Sequence, residues 1–148
     1  MNCTIDASVL VAAARAEESQ YAVSLAFLEQ VQRREFNIFC PVLVLPECSA
    51  AIARPTGDET LAEELVGLIE AFPGLHLVPL SLHLAHRAAR IAAVHRLRGA
   101  DAIYVAVAEE FEALLVTWDL EMLERGALVV QTATPQGWIE SQQGNRHA

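Results

Sequence analysis

The sequence predicts an α/β fold of three layers, with a central parallel sheet of four to five strands covered by helices on both faces. Three observations predict it. Short apolar, β-compatible runs alternate with longer stretches of helical periodicity; Pro, Gly and Asp stand at the joints between them; and no internal repeat or low-complexity segment interrupts the alternation. At 148 residues the chain fits one domain, over residues 1–140, large enough to bury roughly 70% of the surface its unfolded form exposes. The polar end S-Q-Q-G-N-R-H-A, residues 141–148, reads as a disordered tail.

Residues 2–5 are short and β-compatible, and Asp6 or Ser8 serves as N-cap of the helix that follows. Tyr21, Val23, Leu25, Phe27, Leu28 and Val31 give a second helix its apolar positions. F-N-I-F-C at 36–40 reads as a strand ended by Pro41, and the next helix runs to Arg54, with Pro46 in its first turns, where a missing N–H costs least. R-P-T-G-D-E is a loop, and Thr56 with Glu59 has capping-box spacing for an acidic helix that ends before Pro73-Gly74. L-H-L-V-P-L reads as a strand in which Pro79 points to a sheet edge or a strand end. A helix over 82–97 follows, Gly99 breaks it, and Asp101 opens another to Ala113. L-L-V-T is the clearest buried strand and A-L-V-V a shorter last one.

Composition narrows the function classes. No apolar run reaches the roughly 18 residues of a membrane span, and M-N-C-T-I-D lacks the basic start of a signal peptide, so a cytoplasmic protein is expected. Cys3, Cys40 and Cys48 are odd in number and set far apart in apolar stretches, which predicts buried thiols rather than a disulfide framework or a C-x-x-C metal pair. A net charge of -9 argues against nonspecific attraction to nucleic acid. Yet all ten basic residues are Arg, and Arg87, Arg90, Arg96 and Arg98 fall just before Asp101. They form either a local basic strip suited to phosphate oxygens or a solvated helix face.

Four carboxylates stand where a strand hands over to a helix or inside an apolar helix: Asp6, Glu47, Asp101 and Asp119. Carboxylates in such surroundings are costly unless neutralised, and a divalent cation held by hard oxygen ligands neutralises them directly. In an open parallel sheet, functional groups gather beyond the carboxyl ends of the strands, where strand order reverses. Asp6 and Asp119 share such a crevice if their strands are neighbours. The bland alternative makes Asp6, Asp101 and Asp119 helix caps; Glu47, on a helix with few polar positions, resists it. Ser8 and Thr117 are placed to orient a carboxylate, or to serve in turns. Trp118 either stacks on a base or covers the end of the sheet. His83 and His86 have helical zinc spacing but no third ligand motif beside them.

Taken together and in this order, these contexts resemble the PIN-domain ribonucleases, and within them the VapC toxins of bacterial type II toxin–antitoxin pairs. I-D-A-S-V-L-V resembles the family's opening strand and first acid, P-E-C-S-A-A-I-A-R the helix that carries its Glu, and R-G-A-D-A-I-Y-V-A-V-A the helix of its third acid. L-V-T-W-D resembles the strand end of the fourth acid and T-A-T-P-Q-G-W-I the last helix, so the likeness covers nearly the whole chain. The resemblance implies a PIN-like sheet and a metal-dependent nuclease cleaving single-stranded RNA with Mg²⁺ or Mn²⁺. Asp6 and Asp101 would hold metal directly, Glu47 and Asp119 through water or at a second ion, with Ser8 and Thr117 in support. Arg96, Arg98 and Trp118 are the candidate RNA contacts. Glu121 stands where some relatives place a further acid, and Pro46, directly before Glu47, departs from the family pattern.

The rival readings are a phosphatase of the haloacid dehalogenase type and a non-enzymatic acidic receiver or binding module. The first two normally need a Lys, and this chain has none. For partners, the 53% hydrophobic content predicts a patch for self-association around Leu10, Val11, Ala12, Tyr21 and Val42–Ile52, hence a homodimer. The resemblance adds an antitoxin protein that presents a basic side chain to the acids.

Overall fold

In the computed structural model, which describes residues 1–147, each strand is followed by one or two helices. They run β1 (Asn2–Ile5), α1 (Ala7–Ala14), α2 (Tyr21–Arg33), β2 (Asn37–Pro41), α3 (Val44–Thr56), α4 (Glu59–Glu70), β3 (Leu75–Val78), α5 (Leu82–His95), α6 (Gly99–Glu110), β4 (Leu114–Val116), α7 (Leu120–Gly126), β5 (Thr132–Ala133) and α8 (Pro135–Arg146). The five strands form one parallel sheet ordered β3-β2-β1-β4-β5. From β1 the chain steps outward twice, to β2 and β3, then crosses back over β1 to β4 and β5. Right-handed crossovers therefore put α1 to α4 on one face and α5 to α7 on the other. The packing agrees: α1 lies on α2 and α3, α3 on α4, and α5 on α6, while α6 spans β1, β2 and β4.

Central strands are buried on both sides, so they carry apolar or small residues at successive positions: Cys3, Thr4 and Ile5 on β1, Leu115 and Val116 on β4. β3 is an edge strand and ends just before Pro79, which has no N–H to offer a further ladder. All three cysteines are free and buried, and burial pushes the Cys3 and Cys40 thiols up to about 12. Among the described residues no helix is long and apolar enough to cross a membrane.

Several expectations need correction. Gly57, at φ 67, ends α3 after Thr56, so Thr56 closes one helix instead of capping the next; its hydroxyl donates to Ile52 O at 2.6 Å, and Asp58 caps α4 by accepting from Leu61 N at 3.0 Å. Gly99 is the first residue of α6, and the break before it is Arg96 at φ 56. A-L-V-V is a turn, because Val129 N and Val130 N both donate back to Gly126 O, and the last strand is Thr132–Ala133. The expected irregular tail is helical through Arg146. Thr134 caps that helix, Trp138 packs edge-on against Phe27 and Phe36 at 5.5 and 5.7 Å, and Arg34 donates to Gln142 Oε1 at 2.9 Å. Ala148, the end of that tail, lies outside the described residues. The expected self-association patch also moves: Leu10, Ala12, Val44, Cys48 and Ile52 are core, and among the described residues the exposed large apolar ones are Met1, Leu68, Leu80, Leu82, Val94, Leu120 and Leu128, with Val42 at the margin.

Gly74 sets the entry into β3. Its φ is 80, and a Cβ there would lie 2.5 Å from Phe36 O, while its own carbonyl accepts from Ile38 N at 2.9 Å. Gly57 has the same left-handed backbone with nothing within 4 Å of its Cβ position. Gly57→Ala is therefore expected to cost about 1–2 kcal/mol for the left-handed backbone alone. Gly74→Ala must cost more, since the β2–β3 ladder has to shift as well. Denaturant unfolding of both variants checks this, and equal losses would show that the close approach to Phe36 is harmless.

Candidate functional site

Strand order reverses between β1 and β4, and a crevice opens there at the carboxyl ends of the strands. Ile5 and Val116 are the last paired residues, and Asp6 N extends the ladder by donating to Val116 O at 3.0 Å. Asp6 and Thr117 thus leave the sheet side by side. α3 and α6 begin at the same end, with Glu47 in the first turn of one and Asp101 in the first turn of the other. Asp6, Glu47, Asp101 and Asp119, from four separate segments, line one cleft of about 460 Å³ together with Ser8, Arg98 and Trp118.

Each acid meets a different set of donors. Asp6 is 7% exposed, and its Oδ2 accepts from Ser8 Oγ at 2.7 Å and Thr117 Oγ1 at 2.8 Å. It occupies the N-cap position of α1 without a side-chain capping bond, so the cap reading fails for its carboxylate. Ser8 Oγ also accepts from Trp118 N at 3.1 Å, and Thr117 Oγ1 from Asp119 N at 3.0 Å. The two hydroxyls therefore join the β1 and β4 ends into one network. For Asp119 the cap reading holds in part: Oδ1 accepts from Met122 N at 2.9 Å at the start of α7, while Oδ2 faces Arg98. Asp101 is 8% exposed and is no cap; its Oδ2 accepts from Arg98 Nε at 2.8 Å.

Glu47 depends on a residue that sequence reasoning missed. Tyr104, wholly buried on α6, donates its hydroxyl to Glu47 Oε1 at 2.6 Å. The signal was its position three residues after Asp101, which puts both on one helix face. Burial pushes the Glu47 carboxyl above its ordinary range, Tyr104 opposes that, and the charges of Asp6 and Asp101 add to it. Burial likewise raises Asp101, with the Arg98 pair in opposition. Burial and the Glu47 carboxylate raise Tyr104 as well, so it stays a protonated donor. Pro46 leaves α3 regular, since Glu47 N still donates to Leu43 O at 3.1 Å.

The remaining candidates divide. Trp118 is half-buried against the core, with Nε1 donating to Ser24 Oγ at 2.9 Å, so its indole covers the end of the sheet. Arg98 is spent on two acids, and Arg87 forms a bidentate pair with Glu109 at 2.6 Å, which leaves Arg90 and Arg96 of the expected basic strip without an acid partner among the described residues. Glu121 lies outside this cleft, beside Arg125 at 3.6 Å, in an adjacent depression of about 780 Å³ lined also by Arg96, Arg98, Trp118 and Leu120. No three His, Cys, Asp or Glu among the described residues converge into a ready cage for a metal ion, the His83 and His86 pair included. The donor set nonetheless fits a hard divalent cation: it is carboxylate oxygen throughout, two of its members are buried, and a cationic guanidinium already lies against two of them.

The raised Glu47 carboxyl has a consequence for stability. The folded chain keeps that proton to a higher pH than the unfolded chain, so above the ordinary value of 4.5 the native state binds more protons and metal-free stability falls as pH rises. Glu47→Gln keeps an acceptor for Tyr104 and removes the titration. Its melting temperature in chelator is expected to fall less than that of the wild type between about pH 5 and pH 7. Thermal unfolding across that range measures it, and parallel pH slopes would remove Glu47 as the source.

Comparison with known proteins places the fold and the family. The curated proteins yield no match. Among solved structures, VapBC2 from Rickettsia felis bound to a DNA fragment from its promoter aligns with TM-score 0.70 and 13% identity, over 90% of this chain and 98% of that one. FitAcB from Neisseria gonorrhoeae aligns with TM-score 0.68 and 17% identity, over 92% and 99%. VapC20 from Mycobacterium tuberculosis, a Sarcin-Ricin loop cleaving toxin, aligns with TM-score 0.68 and 15% identity, over 85% and 94%. At these identities the likeness is one of fold. The family model of the PIN domain matches residues 3–128, and on that match the chain belongs to the PIN-domain family.

Proposed function

We propose that this chain is a Mg²⁺- or Mn²⁺-dependent endoribonuclease that cleaves single-stranded RNA, and the toxin of a toxin–antitoxin pair. One observation carries the reading: four acids from distant segments line a single cleft at the point where strand order reverses. Membership of the PIN-domain family and the likeness in fold to VapC20, a toxin that cleaves the Sarcin-Ricin loop, support it. Asp6 and Asp101 would hold the cation, and Asp119 and Glu47 would hold it through water or take a second ion. When bound, a divalent cation supplies Lewis acidity at the scissile phosphate and activates water for in-line attack. The chain's own part is orientation. Ser8 and Thr117 fix the Asp6 carboxylate, Tyr104 fixes Glu47, and the α7 N-terminus fixes Asp119. Arg96, on the adjacent depression beside the half-buried Trp118, suits contact with the RNA strand on its way to the acids.

Cleavage of mixed RNA is expected only with Mg²⁺ or Mn²⁺, to stop in chelator, and to vanish in Asp6→Asn and Asp101→Asn. Incubation followed by end mapping reads this out, and cutting that survives in either variant would dismiss the site.

The same reading includes a homodimer silenced by a cognate antitoxin. Leu68, 68% exposed, together with Leu25, Leu28, Leu65 and Phe72 lines an apolar groove of about 240 Å³, and Leu82 and Val94 are exposed elsewhere. Such surfaces suit protein partners. Light scattering should show a dimer at micromolar concentration, and Mn²⁺ should compete with an antitoxin that places a basic side chain against the acids. A monomer would refute the dimer, and antitoxin affinity indifferent to Mn²⁺ the mode of inhibition.

A further inference from the structure

Among the described residues, Arg98 is the only basic one on the wall of the acidic cleft. Its Nε donates to Asp101 Oδ2 and its Nη2 to Asp119 Oδ2, both at 2.8 Å, so one guanidinium bridges two of the four acids. Those are the oxygens a divalent cation would need. The backbone around it is fixed, because Leu97 is 6% exposed on one side and Asp101 and Ala102 are buried on the other. The side chain itself is 68% exposed and makes no capping bond to α6. Rotation of the side chain alone therefore carries the guanidinium out of the cleft, with no change of fold. Outside, it meets the depression shared with Arg96, Arg125 and Trp118.

From this we infer that Arg98 is an internal counter-ion that exchanges with the metal: in the metal-free protein it neutralises Asp101 and Asp119, and on metal entry it turns outward and contacts a phosphate of the RNA. The inference rests on the metal-dependent reading above and adds a competitor to it. Screening acids that would otherwise repel one another stabilises the free protein, while two charge-assisted bonds must break before those oxygens can bind a cation. An exposed guanidinium fork then suits the phosphodiester, whose oxygens it matches in geometry.

The test compares wild type with Arg98→Gln and Arg98→Lys, using Arg90→Gln, which removes the same charge from a residue that pairs with none of the acids, as the control. Binding of Mn²⁺ alone, followed by the electron paramagnetic resonance of the free ion, should be on the order of fivefold tighter in Arg98→Gln, intermediate in Arg98→Lys and unchanged in Arg90→Gln. The metal-free melting temperature of Arg98→Gln should fall and be restored by Mn²⁺, which shows that the variant folds. In cleavage assays it should need less Mn²⁺ but show a higher KM for RNA. Equal or weaker Mn²⁺ binding in Arg98→Gln overturns the exchange, and an unchanged KM overturns the phosphate contact. A wild type that takes up no Mn²⁺ at all would sink the nuclease reading, which separates that failure from this one.

Discussion

Asp6 N–H bonds to Val116 O one step beyond the last paired residues of β1 and β4, and this extension of the parallel ladder sets the height at which Asp6, Ser8, Thr117 and Asp119 meet. With the register fixed, Thr117 Oγ1 falls within 2.8 Å of the Asp6 carboxylate, and Asp119 begins α7 beside it. A slip of one residue would turn Thr117 to the opposite face of the sheet and remove the network as a whole. The buried residues of β1 and β4 guard against that slip, because any other register breaks the close packing of Ile5 and Leu115 against the helices on both faces. The core thus determines the chemistry at its rim.

The cleft also shows how buried and half-buried carboxylates are made tolerable by different means in one place. Asp6 relies on neutral hydroxyls, Glu47 on a phenol, Asp119 on a backbone amide and a guanidinium, Asp101 on the guanidinium alone. Hydrogen bonds satisfy the oxygens and reduce the cost of burial, but neutral donors leave the charge itself in place. One Arg cannot balance four acids. A strongly negative, well-ordered cleft remains, a standing attraction for small cations and an obstacle to a bare phosphodiester. Within a chain of net charge -9, that sign needs local correction before RNA can approach.

What was legible in the sequence was local. Asp6 and Asp119 stand at strand-to-helix junctions, Ser8 and Thr117 lie two residues from them, and Glu47 interrupts an apolar helix, so each position announced itself within a few residues. Tyr104 did not, because its partner is 57 residues away and a Tyr in an apolar helix reads as core. Arg87 read as part of a cationic strip because its acid partner, Glu109, lies 22 residues on; Arg98 did so although Asp101 is three residues on, because that acid was read as a metal ligand and its second partner, Asp119, lies 21 residues on. The tail failed for a related reason: its helix is held by Trp138 against Phe27 and Phe36 and by Arg34 on Gln142, contacts that no local propensity reveals. The last strand was misplaced because two residues of pairing are too few to give a pattern, while A-L-V-V offered a convincing false one.

The buried cysteines give the molecule a built-in clock. Cys3 lies on β1, Cys40 on β2 and Cys48 on α3, and Cys40 Sγ donates to Ile5 O at 3.3 Å, the residue directly before Asp6. Only a thiolate reacts with an alkylating reagent, and these thiols are both inaccessible and reluctant to ionise. Alkylation of Cys3 and Cys40, which lie on neighbouring strands, must therefore wait for the sheet to open between β1 and β2. Its rate reports how often the strand beneath the acidic cleft parts from its neighbour, a local opening that melting curves average away.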